Sequence, residues 1–195
     1  MIHRRFLAVQ HLQEFTMRHA ALVATVSLAL GTGACQMAET PEQMQARMDQ
    51  ESTAFTQILS GTATRWESWY AAGQADSVAN IFMEQGREMP PNLATLVGRD
   101  AIRANLAQYF AMGAWTLDVM PEASMANGPL GIDRGRFKVT FTPATNAPPE
   151  AAMVPPVDSG KYMIHWHQVN GTWMVADLIY NSDLPMPMPE PARRR

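Results

Sequence analysis

The amino-acid sequence predicts an α+β domain, because a helical first half is followed by strands in the second half. Between residues 41 and 110 apolar residues recur at helical spacing, whereas from residue 115 onward β-branched and aromatic residues alternate with polar ones. Asn170-Gly171 separates the last two alternating segments and indicates a β-hairpin, since a type I′ turn needs positive φ at both central residues. Helices followed by a run of antiparallel strands are typical of the α+β class.

Three helices are predicted in the first half. The first begins at Thr40-Pro41, with Thr40 as N-cap and Pro41 at the first helical position, and ends at Gly73, which is suited to a helix C-terminus. Gly61 lies within this helix and costs about 1 kcal/mol relative to alanine, so it predicts a bend or a division into two helices. A short second helix is expected after Asp76, which would cap it, and a third helix from about Asp100.

Four strands are predicted after residue 113, at residues 115–120, 134–142, 161–169 and 172–180. Residues 143–156, rich in Pro and Ala, form either a surface loop or a rim element between two strands. The expected folded domain covers residues 41–184. Residues 185–195, with Pro at alternate positions and three terminal arginines, predict an extended, disordered tail.

Residues 1–34 have the pattern of a signal peptide, and Met17 is a candidate for the true start. Met17-Arg18-His19 precedes an uncharged apolar run at residues 20–30, which is too short to cross a bilayer. The chain then reads Gly31-Thr32-Gly33-Ala34-Cys35, and Cys35 is its only cysteine. This segment resembles the lipobox of bacterial lipoproteins, in which the cysteine is lipidated, although Thr32 replaces the usual Leu. Residues 35–40 would then be a tether that follows the lipid anchor.

The alternative for this segment is cleavage by ordinary signal peptidase after Ala34 or Ala38, which would leave a soluble exported protein. In both cases we expect a location in the periplasm or cell envelope. Without residues 1–34 the chain has 12 basic and 17 acidic residues. It has no basic stripe for a phosphate backbone, so nucleic-acid binding is disfavoured.

Several segments together resemble the nuclear transport factor 2-like superfamily, and within it the SnoaL-like and ketosteroid isomerase-like bacterial domains. They lie between about residue 50 and residue 184 and are Trp66-Glu67-Ser68-Trp69-Tyr70, Gly73-Gln74-Ala75-Asp76, Ile81-Phe82, Met89-Pro90-Pro91, Gly98-Arg99-Asp100-Ala101-Ile102, Gly160-Lys161-Tyr162, Asn170-Gly171-Thr172-Trp173 and Asn181-Ser182-Asp183. The resemblance implies a cone-shaped domain in which three N-terminal helices pack in a curved antiparallel sheet and a pocket opens at one end. Members of this superfamily do not share one reaction, so the fold does not give the function.

The resemblance also implies where a catalytic base would lie. Ketosteroid isomerases carry a general-base carboxylate directly before a proline after the second helix, whereas Met89 occupies that position here. Glu88 is one residue earlier, and in a strand it would face the other side. The isomerase base is therefore expected to be missing or displaced.

Three residues near the C-terminus are candidates for catalysis. Alternation places His165 and His167 on one strand face, and pairing about the Asn170-Gly171 turn sets residue 164 opposite residue 177, so Asp177 lies on the other face. If that face lines the pocket, burial would raise the pKa of Asp177 and suit it to acid–base chemistry. A histidine could join Asp177 only through a β-bulge. No metal site and no cofactor are predicted.

The remaining candidates are aromatic residues expected in the core or the cavity wall, where they would contact a ligand: Trp66, Tyr70, Phe82, Trp115 and Tyr180. Three hypotheses follow. We favour an exported, lipid-anchored domain that binds a small apolar molecule. The alternative is a SnoaL-like or isomerase-like enzyme with Asp177 as acid or base and Tyr70 as hydrogen-bond donor. The third is a dimeric interaction module with the open sheet face as its subunit interface.

Overall fold

The computed structural model describes residues 38–185. The predicted signal peptide, Cys35 and nearly all of the predicted tail therefore lie outside the described residues. Within residues 38–185 no helix is both long enough and apolar enough to cross a membrane.

Three helices precede most of the sheet. Helix α1 spans Pro41–Ala71, α2 spans Ala75–Ala79 and α3 spans Arg99–Met112. Helix α1 continues through Gly61, which is exposed, so the predicted division into two helices is wrong, and a bend at this residue stays a prediction. Gly73 has φ +64° and the Gln74 N–H donates to the Trp69 carbonyl at 2.9 Å, which confirms the predicted C-terminal cap. The N-cap of α2 is Gln74 rather than Asp76, because the helix begins two residues earlier than predicted.

Six strands form one sheet in the order β2-β1-β6-β5-β4-β3. Their bounds are Phe82–Met89 for β1, Leu96–Val97 for β2, Gly113–Asn127 for β3, Leu130–Pro143 for β4, Val157–Val169 for β5 and Thr172–Ser182 for β6. A short 3₁₀ helix, Pro149–Met153, lies between β4 and β5. All neighbouring strands are antiparallel except β1 and β6, which run parallel. The α+β class is confirmed, and the curved sheet holds the helices against its inner face.

The main core joins the helices to this inner face. Phe55 of α1 packs edge-on against Trp166 of β5, with ring centroids 6.3 Å apart, and both side chains are almost fully buried. In a second, smaller cluster Ala151 of the 3₁₀ helix packs with Trp115 of β3 and Phe141 of β4. The contact between Phe55 and Trp166 holds α1 against the sheet.

A β-bulge in β6 changes the predicted register. Asn170 (φ +50°) and Gly171 (φ +80°) form the predicted turn, with Val169 opposite Thr172. Farther along, Trp166 lies opposite Val175 but His165 lies opposite Asp177, so Ala176 is the extra residue. The predicted pairing of residue 164 with residue 177 was therefore wrong.

The bulge reverses the alternation of the second half of β6. Val175 is fully buried, but Leu178 rather than Asp177 is the next buried residue, and Ile179 is 51 % exposed. Leu178 and Tyr180 consequently face inward, whereas Asp177 and Ile179 face outward. We call the solvent side of the sheet the outer face.

Candidate functional site

A cavity of about 230 Å³ lies between the helices and the inner face of the sheet. Its walls come from helices α1 and α3, strands β1 and β3 to β6, the Pro90-Pro91 segment after β1 and residues 154–155 after the 3₁₀ helix. Most of the walls are apolar or aromatic. The proline- and alanine-rich excursion between β4 and β5 therefore contributes to the rim of the cavity.

Four of the five predicted aromatic residues line this cavity: Trp66, Tyr70, Trp115 and Tyr180. The fifth, Phe82, is 1 % exposed and packs edge-on against Trp66 with ring centroids 6.4 Å apart. It lies at the start of β1, behind the cavity wall and within the core. The structure thus gathers four of these side chains around one space, and their ligand contacts stay a prediction.

Glu88 projects into the cavity, and the expectation that it faces away was wrong. It is 6 % exposed and lines the cavity. Its partner across the parallel β1/β6 pair is Leu178, which the bulge in β6 turns inward, and laterally paired residues share a sheet face. Met89, directly before Pro90, is therefore the residue that does not line the cavity.

The carboxylate of Glu88 is only partly satisfied. Tyr180 donates its hydroxyl to Glu88 Oε1 at 3.2 Å, while Oε2 is buried and contacts no hydrogen-bond partner among the described residues. Burial raises the pKa of Glu88 to about 7, although the Tyr180 hydrogen bond acts in the opposite direction. The cavity therefore contains a carboxyl group that changes its charge near neutral pH.

Phenol groups surround Glu88. Burial, followed by the negative charge of Glu88, raises the pKa values of Tyr70, Tyr109 and Tyr180 above their ordinary range. These side chains stay protonated at neutral pH and can act as hydrogen-bond donors.

Asp177 lies on the outer face, in a chain of polar contacts with Arg87, His165 and His167 that we call the outer-face cluster. Arg87 Nε lies 2.6 Å from Asp177 Oδ1, His165 Nδ1 lies 3.0 Å from Asp177 Oδ2, and the two histidine Nε2 atoms are 3.1 Å apart. The bulge does bring His165 to Asp177, but on the side away from the cavity. No group of three or more His, Cys, Asp or Glu residues within 38–185 has a geometry suited to a metal ion.

A raised pKa was expected for Asp177 only if its face lined the pocket, and Asp177 does not line the cavity. Partial burial acts to raise the pKa of Asp177, but the hydrogen bonds and charges of Arg87 and His165 outweigh it and lower that pKa. A carboxylate held by a cation is a poor proton acceptor at neutral pH.

Asp133 is a second buried carboxylate that the sequence analysis missed. It is 3 % exposed, and burial raises its pKa to about 6. Its neighbour Tyr162 lines the cavity, and burial together with the charge of Asp133 raises the pKa of Tyr162. The available signal in the sequence was its place midway between Gly131 and Gly135, which alternate with it on the inward face of β4.

Comparisons with known proteins identify the fold. No family model and no curated protein match the chain. Among solved structures, a nuclear transport factor 2-like protein of unknown function from Pseudomonas putida KT2440 is similar with a TM-score of 0.57 and 13% identity over 70% of this chain and 92% of that chain. A nuclear transport factor 2-like superfamily protein from Salmonella enterica serovar Typhimurium LT2 is similar with a TM-score of 0.56 and 13% identity, over 71% of this chain and 98% of that chain.

A ketosteroid isomerase-like protein from Erwinia carotovora atroseptica SCRI1043 gives a TM-score of 0.53 and 13% identity, over 65% of this chain and 94% of that chain. The chain therefore has the nuclear transport factor 2-like fold that its sequence segments resemble. Identities this low establish the architecture alone.

Proposed function

We propose that this protein binds a small, largely apolar molecule in the cavity between its helices and sheet. One observation supports this most: the apolar and aromatic walls carry a buried carboxylate, Glu88, with one oxygen that no described group contacts. Leaving a buried polar atom unpaired costs about 1–3 kcal/mol, and a ligand that contacts Glu88 would recover that cost. Apolar walls with a few converging polar groups are typical of small-ligand sites.

The size of the cavity limits the ligand. An apolar cavity of about 150 Å³ holds benzene. A cavity of about 230 Å³ is thus suited to a molecule larger than benzene, of roughly ten non-hydrogen atoms.

Native mass spectrometry of the full chain tests the binding proposal. We expect a co-purifying small molecule, or binding of an added aromatic probe such as isobutylbenzene. Leu117→Trp fills the cavity and should abolish binding, because Leu117 lines it. The matched control is Met120→Trp on the same strand. Because Met120 is exposed, this variant should bind the probe as the parent does. Equal binding by both variants, or no binding by the parent, would refute the proposal.

A second candidate function is acid–base catalysis, with Glu88 rather than Asp177 as the proton acceptor. The observation in its favour is the position of Glu88 in the cavity wall beside the Tyr180 hydroxyl. Burial raises the pKa of Glu88 to about 7, which suits a group that accepts and returns a proton at neutral pH. Tyr180 would stabilise the ionised form through its hydrogen bond. This candidate predicts that the chain accelerates α-proton exchange of 4-phenylbutan-2-one in D₂O, and that Glu88→Gln slows that exchange by about 100-fold or more. Exchange no faster than in buffer would exclude this candidate and leave the binding proposal intact.

The location of the protein is also a proposal. The basic start, apolar run and Gly-Ala-Cys35 exit in the sequence support an exported domain held on a membrane by a lipidated Cys35. Replacement of Cys35 by Ala should move the protein from the membrane fraction to the soluble fraction of the cell envelope. An unchanged distribution would contradict lipidation.

Dimerisation through the outer face is a further alternative. It is supported by the exposure of Ile132 (42 %), Met163 (46 %) and Ile179 (51 %) on this face, because exposed apolar residues that cluster on one surface often mark an interface. Sedimentation of the full chain should then give a dimer that Ile179→Glu dissociates. A monomer over the micromolar range would exclude this alternative.

A further inference from the structure

The charges around the cavity are all negative within the described residues. Glu88 and Asp158 line it, and no Lys, Arg or His from residues 38–185 does so. Asp158 is already engaged, since its Oδ1 accepts hydrogen bonds from the Ser159 N–H at 2.7 Å and the Ser182 hydroxyl at 2.8 Å. An anionic ligand would therefore be desolvated against like charge, which is strongly unfavourable.

Aromatic side chains form a further part of the cavity wall, beside aliphatic ones. Seven aromatic side chains line the cavity, among them Trp66, Tyr70, Trp115 and Phe137. The face of an aromatic ring carries negative electrostatic potential, so such rings attract a cation, and more strongly where water is excluded. A neutral apolar ligand would fill this space but would use neither the carboxylates nor this potential.

The unpaired Glu88 Oε2 favours a ligand that carries a hydrogen-bond donor. This buried acceptor has no described partner, while the other oxygen already accepts from Tyr180. A group that both donates a proton and carries positive charge satisfies the acceptor, the carboxylate charge and the rings together. A protonated amine is such a group.

We propose that the ligand of this cavity is a lipophilic amine in its protonated form, with its N–H donating to Glu88 Oε2 and its apolar body among the aromatic side chains. This inference rests on the proposed binding function and specifies the chemical class of the ligand. The amine nitrogen stays close to the β1/β6 pair, and the substituents extend toward Trp66 and Trp115.

The pH dependence of amine binding follows from which of the groups that face Glu88 carry charge. They are Tyr70 from α1, Tyr109 from α3 and Tyr180 from β6, all neutral at ordinary pH, while Arg99 of α3 is bound to the Phe82 carbonyl at the opposite end of β1. Ionisation of Glu88 itself therefore controls the pairing with the amine. Affinity for a protonated amine should rise with pH as Glu88 loses its proton.

The test compares N,N-dimethylbenzylamine with isobutylbenzene, a neutral molecule of the same shape, by calorimetric titration of the full chain at about pH 8 and about pH 5.5. At the higher pH we expect the amine to bind at least about tenfold more tightly than the hydrocarbon. Its affinity should fall by about tenfold or more at the lower pH. Glu88→Gln should remove both effects. The control Glu84→Gln, an exposed position of the same strand, should retain them.

Three results would overturn the inference. Isobutylbenzene that binds as tightly as the amine at about pH 8 would mean that the cavity selects for shape alone. Binding of 3-phenylpropanoate as tight as that of the amine would contradict the charge argument. Tighter binding of 4-phenylbutan-2-one, with an affinity that falls as pH rises, would mean that protonated Glu88 donates to a carbonyl group. In each case binding itself persists, whereas binding of none of these probes would instead refute the proposed function.

Discussion

The protonation of Glu88 is coupled to folding. Its ordinary pKa is 4.5, and burial raises it to about 7 in the folded chain. Between these two values the folded state holds a proton that the unfolded state has lost, so the free energy of unfolding falls as pH rises. The contribution is fully present below about pH 4.5 and is lost by about pH 7. Asp133 acts in the same direction, because burial raises its pKa from 3.8 to about 6.

Glu88→Gln should therefore change how stability depends on pH. Urea unfolding of the parent should show that the free energy of unfolding falls between pH 5 and pH 8, by about 3 kcal/mol in total for Glu88. The Glu88→Gln variant, which cannot ionise at this position, should lose most of that decline and keep the part due to Asp133. Glu84→Gln is the control, since Glu84 is exposed. A decline of the same size in the Glu88→Gln variant would show that Glu88 is not the buried titrating group.

Asp177 should be dispensable for ligand binding. It belongs to the outer-face cluster, held by Arg87 and His165, and does not line the cavity. We expect Asp177→Asn to bind an aromatic probe within about twofold of the parent, because surface substitutions away from a site usually change free energies by no more than about 0.5 kcal/mol. Loss of probe binding in this variant, with its fold intact by circular dichroism, would contradict the assignment of the site to the cavity.

At the scale of elements, one extra residue determines which side chains reach the cavity. The turn at Asn170-Gly171 could be predicted, because its residue types require positive φ. Ala176 has no such signature, so the bulge that it forms could not be predicted. The missed bulge moved Asp177 into the expected pocket. Glu88 was excluded for a different reason, because it lies one residue before Met89, the position that the resemblance assigns to the catalytic base. The aromatic residues of α1 were predictable because helical spacing fixes their face without any register.

Two glycines should respond oppositely to alanine. Gly171 has φ +80° in the hairpin turn, so Gly171→Ala should lower the free energy of unfolding by about 1–2 kcal/mol through backbone strain. Gly61 lies in α1 with no heavy atom within 4 Å of an added Cβ. Gly61→Ala should therefore raise the free energy of unfolding by up to about 1 kcal/mol. Thermal or urea unfolding of both variants measures these changes. Stabilisation by Gly171→Ala would contradict the type I′ turn.

At the scale of the whole molecule, the fold could be predicted from the sequence but the chemistry of the cavity could not. Order and spacing of short segments from Trp66 to Asp183 indicate the architecture, because these segments mark helix ends, turns and strand pairs. The cavity instead depends on which residues the curved sheet turns inward. In the linear sequence Glu88 looks like an ordinary surface carboxylate, and only the alternation with two glycines distinguishes Asp133.

The central claim is that a small molecule binds inside the cavity, on the inner face of the sheet. The most direct measurement is a methyl NMR titration of the full chain with N,N-dimethylbenzylamine, with Leu, Val and Ile methyl groups labelled. Saturable shifts should concentrate on cavity-lining methyl groups, those of Leu117, Val139, Ile164 and Leu178. The exposed methyl groups of Ile132 and Ile179 should stay unchanged. Shifts confined to Ile132 and Ile179 would place binding on the outer face and contradict the account.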